Sequence, residues 1–310
     1  MAGTDIHELP IVDAHHHFFN LGRVRYPWLT DRPEDDFLLG DYEALKRDYL
    51  PADYARDAAG FNIVAQVHVE AEADHENPLA ETAWLSELNR SAGVPHAIVG
   101  HAWLHRRSSE AVIAAQAASP LVRGIRSKPI TAPNAGAGLS RWAGTMDDPN
   151  WRRGLTLLVK YDLSWDLRVP FWHLEEAAAV MAASPNLRAV VNHTGLAWDR
   201  GEDGLAHWRR GMVKLAALDN VWLKVSELGL KSAPWDYDDN RRVVRQAIEL
   251  FGFDRCMFAS NFPVAGLRIG YAEQIEAIDR MVADASEDER RWLFAGTARE
   301  FYRLGDDTGT

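Results

Sequence analysis

Asp13-Ala14-His15-His16-His17 closes the apolar run Leu9-Pro10-Ile11-Val12. Side chains alternate between the two faces of a β-strand, so His15 and His17 share one face and His16 takes the other. Two imidazoles on one strand face make half of a metal site or an acid/base pair. Packing alone does not explain three consecutive histidines, because His is seldom chosen to fill a core. Further groups able to do chemistry sit at the ends of other apolar runs: His68 and Glu70, His101, Arg126 and Lys128, Asp166 and Arg168, His193, Lys224 with Ser226 and Glu227, and Ser260-Asn261. Each also has a plainer reading. An internal salt bridge would account for His68 and Glu70 or for Arg126, and Asp166 and Arg168 are expected to pair with each other. Lys128 and Lys224 divide between lying along the surface and binding. His16 reads as packing. His7, His75, His96, His105, His173 and His207 read as solvated or structural.

The elements that must position these groups alternate along the chain. Candidate strands fall at 11–18, 63–70, 96–104, 121–128, 163–169, 188–194, 221–227 and 255–260. Helical patterns lie between them. One opens at Asn77-Pro78 and ends before Gly93, and one starts at Ser108 or Ser109. Others run from Trp172 to Ala183, Gly204 to Leu218, Asn240 to Leu250 and Tyr271 to Ala285. Ser286-Glu287-Asp288-Glu289 is a capping box opening a last helix toward Leu304. Parallel neighbours need crossovers, and eight such repeats in 310 residues suit a closed (β/α)8 TIM barrel in one domain, with its core at about 9–304. Polar residues at strand C-terminal ends then converge on one mouth. The irregular stretches 19–50 and 129–149 follow strands and should wall that mouth.

Composition narrows the function. The net charge of −11 argues against nucleic acid and anionic membranes as partners. No apolar run approaches the ~18 residues of a membrane span, and the polar start carries no signal segment, so the expected location is the cytoplasm. The lone Cys256, beside Met257 and Phe258, reads as a core thiol and allows no intrachain disulfide. Twelve tryptophans, Trp165 among them, offer surface for a ring-shaped ligand.

Asp-Ala-His-His-His-Phe on strand 1, Asn-His-Thr-Gly on strand 6, Lys-Val-Ser-Glu-Leu on strand 7 and Met-Phe-Ala-Ser-Asn-Phe-Pro-Val on strand 8 together resemble the amidohydrolase superfamily. The nearest branch is amidohydrolase family 2, which includes 2-pyrone-4,6-dicarboxylate lactonase and L-fuconolactonase-like hydrolases. The likeness spans about 9 to 304 and includes the closing Leu-Phe-Ala-Gly-Thr-Ala-Arg-Glu-Phe-Tyr. It implies that His15 and His17 are the strand 1 metal- or substrate-binding pair and that His193 joins them. One divalent cation, zinc first, is the implied cofactor, and metal-independent catalysis is the alternative. Arg126 matches an arginine that grips a substrate carboxylate in some relatives.

One departure matters. Asn261 stands where the family's aspartate ligates metal and takes a proton from water, and an amide has no titratable acceptor. Another base is then needed, Glu70 first and His193 second. The expectation is a lactonase opening a sugar lactone, muconolactone or pyrone-dicarboxylate by activated-water attack. Arg126 and Lys128 would hold a carboxylate, and His68, Trp165 and Lys224 are further expected substrate contacts. A decarboxylase on the same fold and a binding paralogue are the alternatives. The expected partner is a carboxylated or hydroxylated ring, and a homo-oligomer is open.

Overall fold

The computed structural model describes residues 4–305 apart from 33, 35, 140 and 141. Its strands are β1 (Ile11–His16), β2 (Ile63–Val69), β3 (Ala97–His101), β4 (Val122–Arg126), β5 (Ser164–Leu167), β6 (Ala189–Val191), β7 (Val221–Val225) and β8 (Cys256–Phe258). They pair in parallel in chain order, β1 to β8. The circle closes between β8 and β1. His17 N donates to Phe262 O at 2.8 Å and Asn261 N to His15 O at 2.7 Å, around a parallel bridge between His16 and Phe262. This is the expected (β/α)8 barrel. Each strand stops short of the expected C-terminal end, so the chain leaves the ladder where the candidate residues stand.

The helices follow the sequence with corrections. Gly93, at φ +74°, ends the helix Ala80–Ala92, a left-handed position that favours glycine. The start is not Asn77-Pro78: Asn77 N bonds Asp74 O and Ala80 N bonds Asn77 O, so turns precede a helix that begins only after Leu79. The helix Pro149–Lys160, capped by Asp148 accepting from Asn150 N, was not anticipated; neither was Pro51–Asp57. The helix from Tyr271 ends at Met281 rather than Ala285. The Ser286 capping box is present, and its helix widens into a π turn before Thr297–Tyr302.

Inside the barrel, Val12, Ala14, Val67, Val69, Val99, Val190, Met257 and Ala259 pack together with Ala298, Phe301 and Tyr302 of that last helix. The helix thus forms the barrel's floor. One polar cluster crosses this dry layer. Lys224 Nζ donates to Asp166 Oδ1 at 2.5 Å, and Tyr302 Oη donates to Asp166 Oδ2 at 3.0 Å. Removing one partner from such a buried pair costs about 3–5 kcal/mol, so the cluster is a strong local constraint. Among the described residues no helix is long and apolar enough to cross a membrane.

Candidate active site

A cavity of about 690 Å³ opens at the C-terminal ends of the strands. His17, His193, Asn261, Arg126, Lys128 and Arg168 line it, with Phe19, Trp28, Phe37, Trp172 and Trp198 supplying aromatic wall. Trp28 and Phe37 come from the 19–50 stretch and Pro129, Thr131, Ala132 and Pro133 from the 129–149 stretch, so both irregular segments wall the mouth as expected.

At the base three imidazoles meet. The His15 ring centroid lies 5.0 Å from that of His17 and 4.7 Å from that of His193. A register shift in β1 between Asp13 and His16 creates this arrangement. Ala14 still faces the interior, and so does His15 after the irregularity. Asp13, expected on the same strand, is turned outward. It accepts from Ser260 N at 2.9 Å and from Tyr54 Oη at 2.9 Å, and burial pushes its carboxyl up. His16 packs outward against Phe18 and Tyr54.

The proton positions on these rings follow from their partners. Lys224 Nζ stands 3.4 Å from His15 Nδ1. An ammonium has only donors, so Nδ1 carries the lone pair and Nε2 carries the proton. That Nε2 is buried and has no hydrogen-bond partner, a donor awaiting an acceptor. His17 Nδ1 meets Val69 O at 2.7 Å and must donate, which leaves a lone pair on Nε2. Nε2 faces Asn261 Oδ1 at 3.1 Å, while Asn261 Nδ2 donates to Glu227 Oε2. Two acceptors therefore meet. Turning the amide end for end resolves it, with Nδ2 donating to His17 and a protonated Glu227 donating to Oδ1. Burial pushes Glu227 up to about 7, so that proton is available near neutrality. His193 Nδ1 contacts Ser226 Oγ at 3.1 Å, leaving Nε2 as the ring nitrogen for a ligand. Burial first, then the Arg168 and Arg126 charges, hold His193 well below its ordinary pKa. Burial also drives His17 down to about 3 and His15 well down. All three rings are neutral.

The backbone is strained around them. His193 (φ +58°), Thr194 (+50°), Glu227 (+44°) and Asn261 (+55°) are left-handed without being glycine. Such residues cost of order 1–3 kcal/mol each and cluster at functional sites.

On the opposite side every cation is paired. Arg126 Nε donates to Glu70 Oε1 at 2.5 Å and its Nη2 to Glu70 O. Burial raises the Glu70 carboxyl, but the Arg126 charge outweighs it and the net shift is downward. Lys128 Nζ pairs with Glu72, whose carboxyl it holds well below its usual range despite burial. Arg168 differs: it lines the cavity with no hydrogen bond or ion pair among the described residues.

Several expectations need correction. Trp165 does not line the cavity. Asp166 faces inward, so its neighbour faces the helices, where Trp165 stacks edgewise on Trp151 and donates to Ser127 O. His68 also points outward, because Val67 and Val69 fill the interior. Its Nδ1 accepts from Phe18 N and its Nε2 lies 3.4 Å from Glu81 Oε1. Lys224 is fully buried beneath His15 and acts there rather than on a ligand. Asp166 pairs with Lys224 rather than with Arg168, which faces the cavity. Glu70 is not a cavity wall, and Arg126 and the Glu72 N–H occupy its two oxygens, so it is poorly placed as a base. His17, His193, Asn261, Arg126 and Lys128 do line the cavity. Arg168 and Glu227 are the functional candidates that the sequence reading undervalued. The period-two parity with Asp166 was the available signal for Arg168.

A cation at His15, His17 and His193 requires three converging lone pairs. His15 presents a proton instead. Among the described residues, the group whose ligand atoms lie within 4.8 Å of one another is Glu70, His75 and His101, not the strand 1 set. The three histidines therefore do not fit a preformed metal site.

Comparison with known proteins agrees with the barrel and the motifs. An uncharacterised protein of Sinorhizobium fredii is 34% identical over 297 residues, covering 96% of this chain and 99% of its own length. An L-fucono-1,5-lactonase of Burkholderia multivorans is 28% identical over 306 residues, covering 94% and 96%. The crystal structure of a Burkholderia multivorans amidohydrolase with bound zinc matches with a TM-score of 0.76 at 28% identity, over 95% of this chain and 99% of that one. The sequence model of the amidohydrolase family matches residues 12–304, nearly the whole barrel, and the chain belongs to that family.

Proposed function

We propose that this protein hydrolyses a lactone carrying a negative charge, without routing the reaction through a metal. The observation that carries the reading is a neutral histidine trio offering a donor and an acceptor beside the Arg168 guanidinium, which has no ion pair among the described residues. His15 Nε2–H would donate to the lactone carbonyl oxygen and to the oxyanion that forms there. His193 Nε2 would take a proton from water as that water attacks the carbonyl carbon. The ring C–O bond then breaks, and the same proton passes to the leaving alkoxide, giving a hydroxy acid. A low-pKa imidazole is a weak base, but a cyclic ester carbonyl is far more electrophilic than an amide. Asn261 and His17 would orient the reacting groups from the opposite edge. Arg168 would bind the substrate's anion, with Arg126 and Lys128 adding positive potential. The aromatic wall suits a ring, and the lactonase relative supports this substrate class. A carboxylated ring on Arg168 also fits decarboxylation, which is the second reading.

The test is a panel of neutral and anionic lactones, assayed by acid release with and without chelator. Hydrolysis of anionic lactones that survives chelation is expected. No hydrolysis of any lactone, together with carbon dioxide release from carboxylated rings, would sink the lactonase reading.

A further inference from the structure

Glu70, His75 and His101 gather where β2 and β3 end, beside the cavity and apart from the histidine trio. His101 closes β3 and is only 7% exposed. Its Nδ1 lies 4.0 Å from Glu70 Oε2. The His75 ring stacks on that of His101 at 4.0 Å between centroids. Trp103 meets both rings edgewise, at 4.9 and 5.0 Å, and so holds their planes. Nε2 of His101 is buried without a hydrogen-bond partner. Glu72 adds a second carboxylate, its Oε2 3.3 Å from His75 Nε2.

An unsatisfied imidazole nitrogen on His101, with a second imidazole and two carboxylates around it, calls for something that accepts lone pairs. We propose that Glu70, His75 and His101, with Glu72 as a fourth donor, form a site for a borderline divalent cation such as Zn²⁺ or Co²⁺. Mixed nitrogen and oxygen donors favour such ions over Mg²⁺ or Ca²⁺, which take oxygen shells. Arg126 holds Oε1 of Glu70 and the Glu72 N–H takes one lone pair of Oε2, which orients the carboxylate and leaves the other Oε2 lone pair for the cation. Lys128 sits on Glu72 as an internal cation, and the incoming ion competes with it. The contrasting role is a stacked imidazole pair that only packs against Trp103.

The full-length protein, stripped with chelator, is titrated with Co²⁺ and followed by visible absorption. One equivalent is expected, with the intense band of a low-symmetry cobalt site, and Zn²⁺ should bleach it. His75 is partly exposed on a loop, so H75A should fold normally, as circular dichroism checks. It should weaken Co²⁺ by at least about tenfold, the loss seen even when a group that merely supports a ligand is removed. H101A should do the same, and H15N should keep the band. Absence of stoichiometric Co²⁺, or a band lost in H15N and kept in H75A, overturns the proposal. The readout is absorption, so it is independent of whether any lactone is hydrolysed.

Discussion

The two sides of the cavity mouth are built on opposite principles. On the side of β2 to β4 each cation has its carboxylate: Arg126 has Glu70 and Lys128 has Glu72. On the side of β5 to β8, Arg168 has no such partner among the described residues, and His193, Thr194, Glu227 and Asn261 hold left-handed backbone, which Glu72 shares on the first side. A half-buried charge with no ion pair among the described residues and a strained backbone both cost stability. The first side is a neutralised wall. The second carries unmet interactions that a ligand would meet, and the chemistry belongs there.

That contrast can be broken most directly at the base. H193N should lower kcat on the best lactone by about 10²–10⁴-fold, the scale of general-base catalysis, while E70Q should cost less. Steady-state kinetics of both variants check it, and the reverse order would move the chemistry to the paired side. Next in size, R126M strands the Glu70 carboxylate in a dry wall. It should destabilise the fold by about 3–5 kcal/mol in urea denaturation. The pH dependence of stability sharpens the picture of the strained side. Glu227, at about 7, stays protonated in the folded chain to higher pH than in the unfolded chain, where it ionises at about 4.3. Its stabilising contribution is therefore full below about 4.3 and is lost as pH rises toward about 7, by up to about 4 kcal/mol. E227Q should flatten that fall in denaturation curves taken across the range. It will not abolish it, because burial and then the Glu70 carboxylate push Glu81 up to about 8 with the same sign. Smallest is R168M, which should raise KM for an anionic lactone about 10–100-fold, the worth of one charged hydrogen bond, with kcat little changed. Thermal stability should hold or rise, where R126M lowers it.

Much of this molecule could be read from its residues. Alternating apolar runs and helical patterns gave eight strands in order, because both periodicities follow from burial on fixed faces. His15, His17, His193 and Asn261 announced themselves by type at strand ends. Parity failed at two kinds of place. A local irregularity in β1 puts Asp13 and His15, two residues apart, on different faces, and no residue type signals such a shift in register. His68 and Trp165 were drawn inward by their chemistry, although the valines beside His68 and the aspartate beside Trp165 already claimed the interior. Partner choice was the other gap. Asp166 and Arg168 are near in sequence, yet Lys224, far along the chain, takes the carboxylate. Only the closed barrel brings β5 and β7 within reach across its axis.

The floor helix gives the chain an order in time. Tyr302 donates to Asp166, Asp166 holds Lys224, and Lys224 faces His15. During synthesis strand 1 leaves the ribosome long before residue 302. Its first histidine meets Lys224 only once β7 has joined the sheet, and the Tyr302 bond to Asp166 comes later still. A nascent chain halted after β8 would therefore hold all three imidazoles of the trio and still lack the seal that keeps Lys224 dry beneath them.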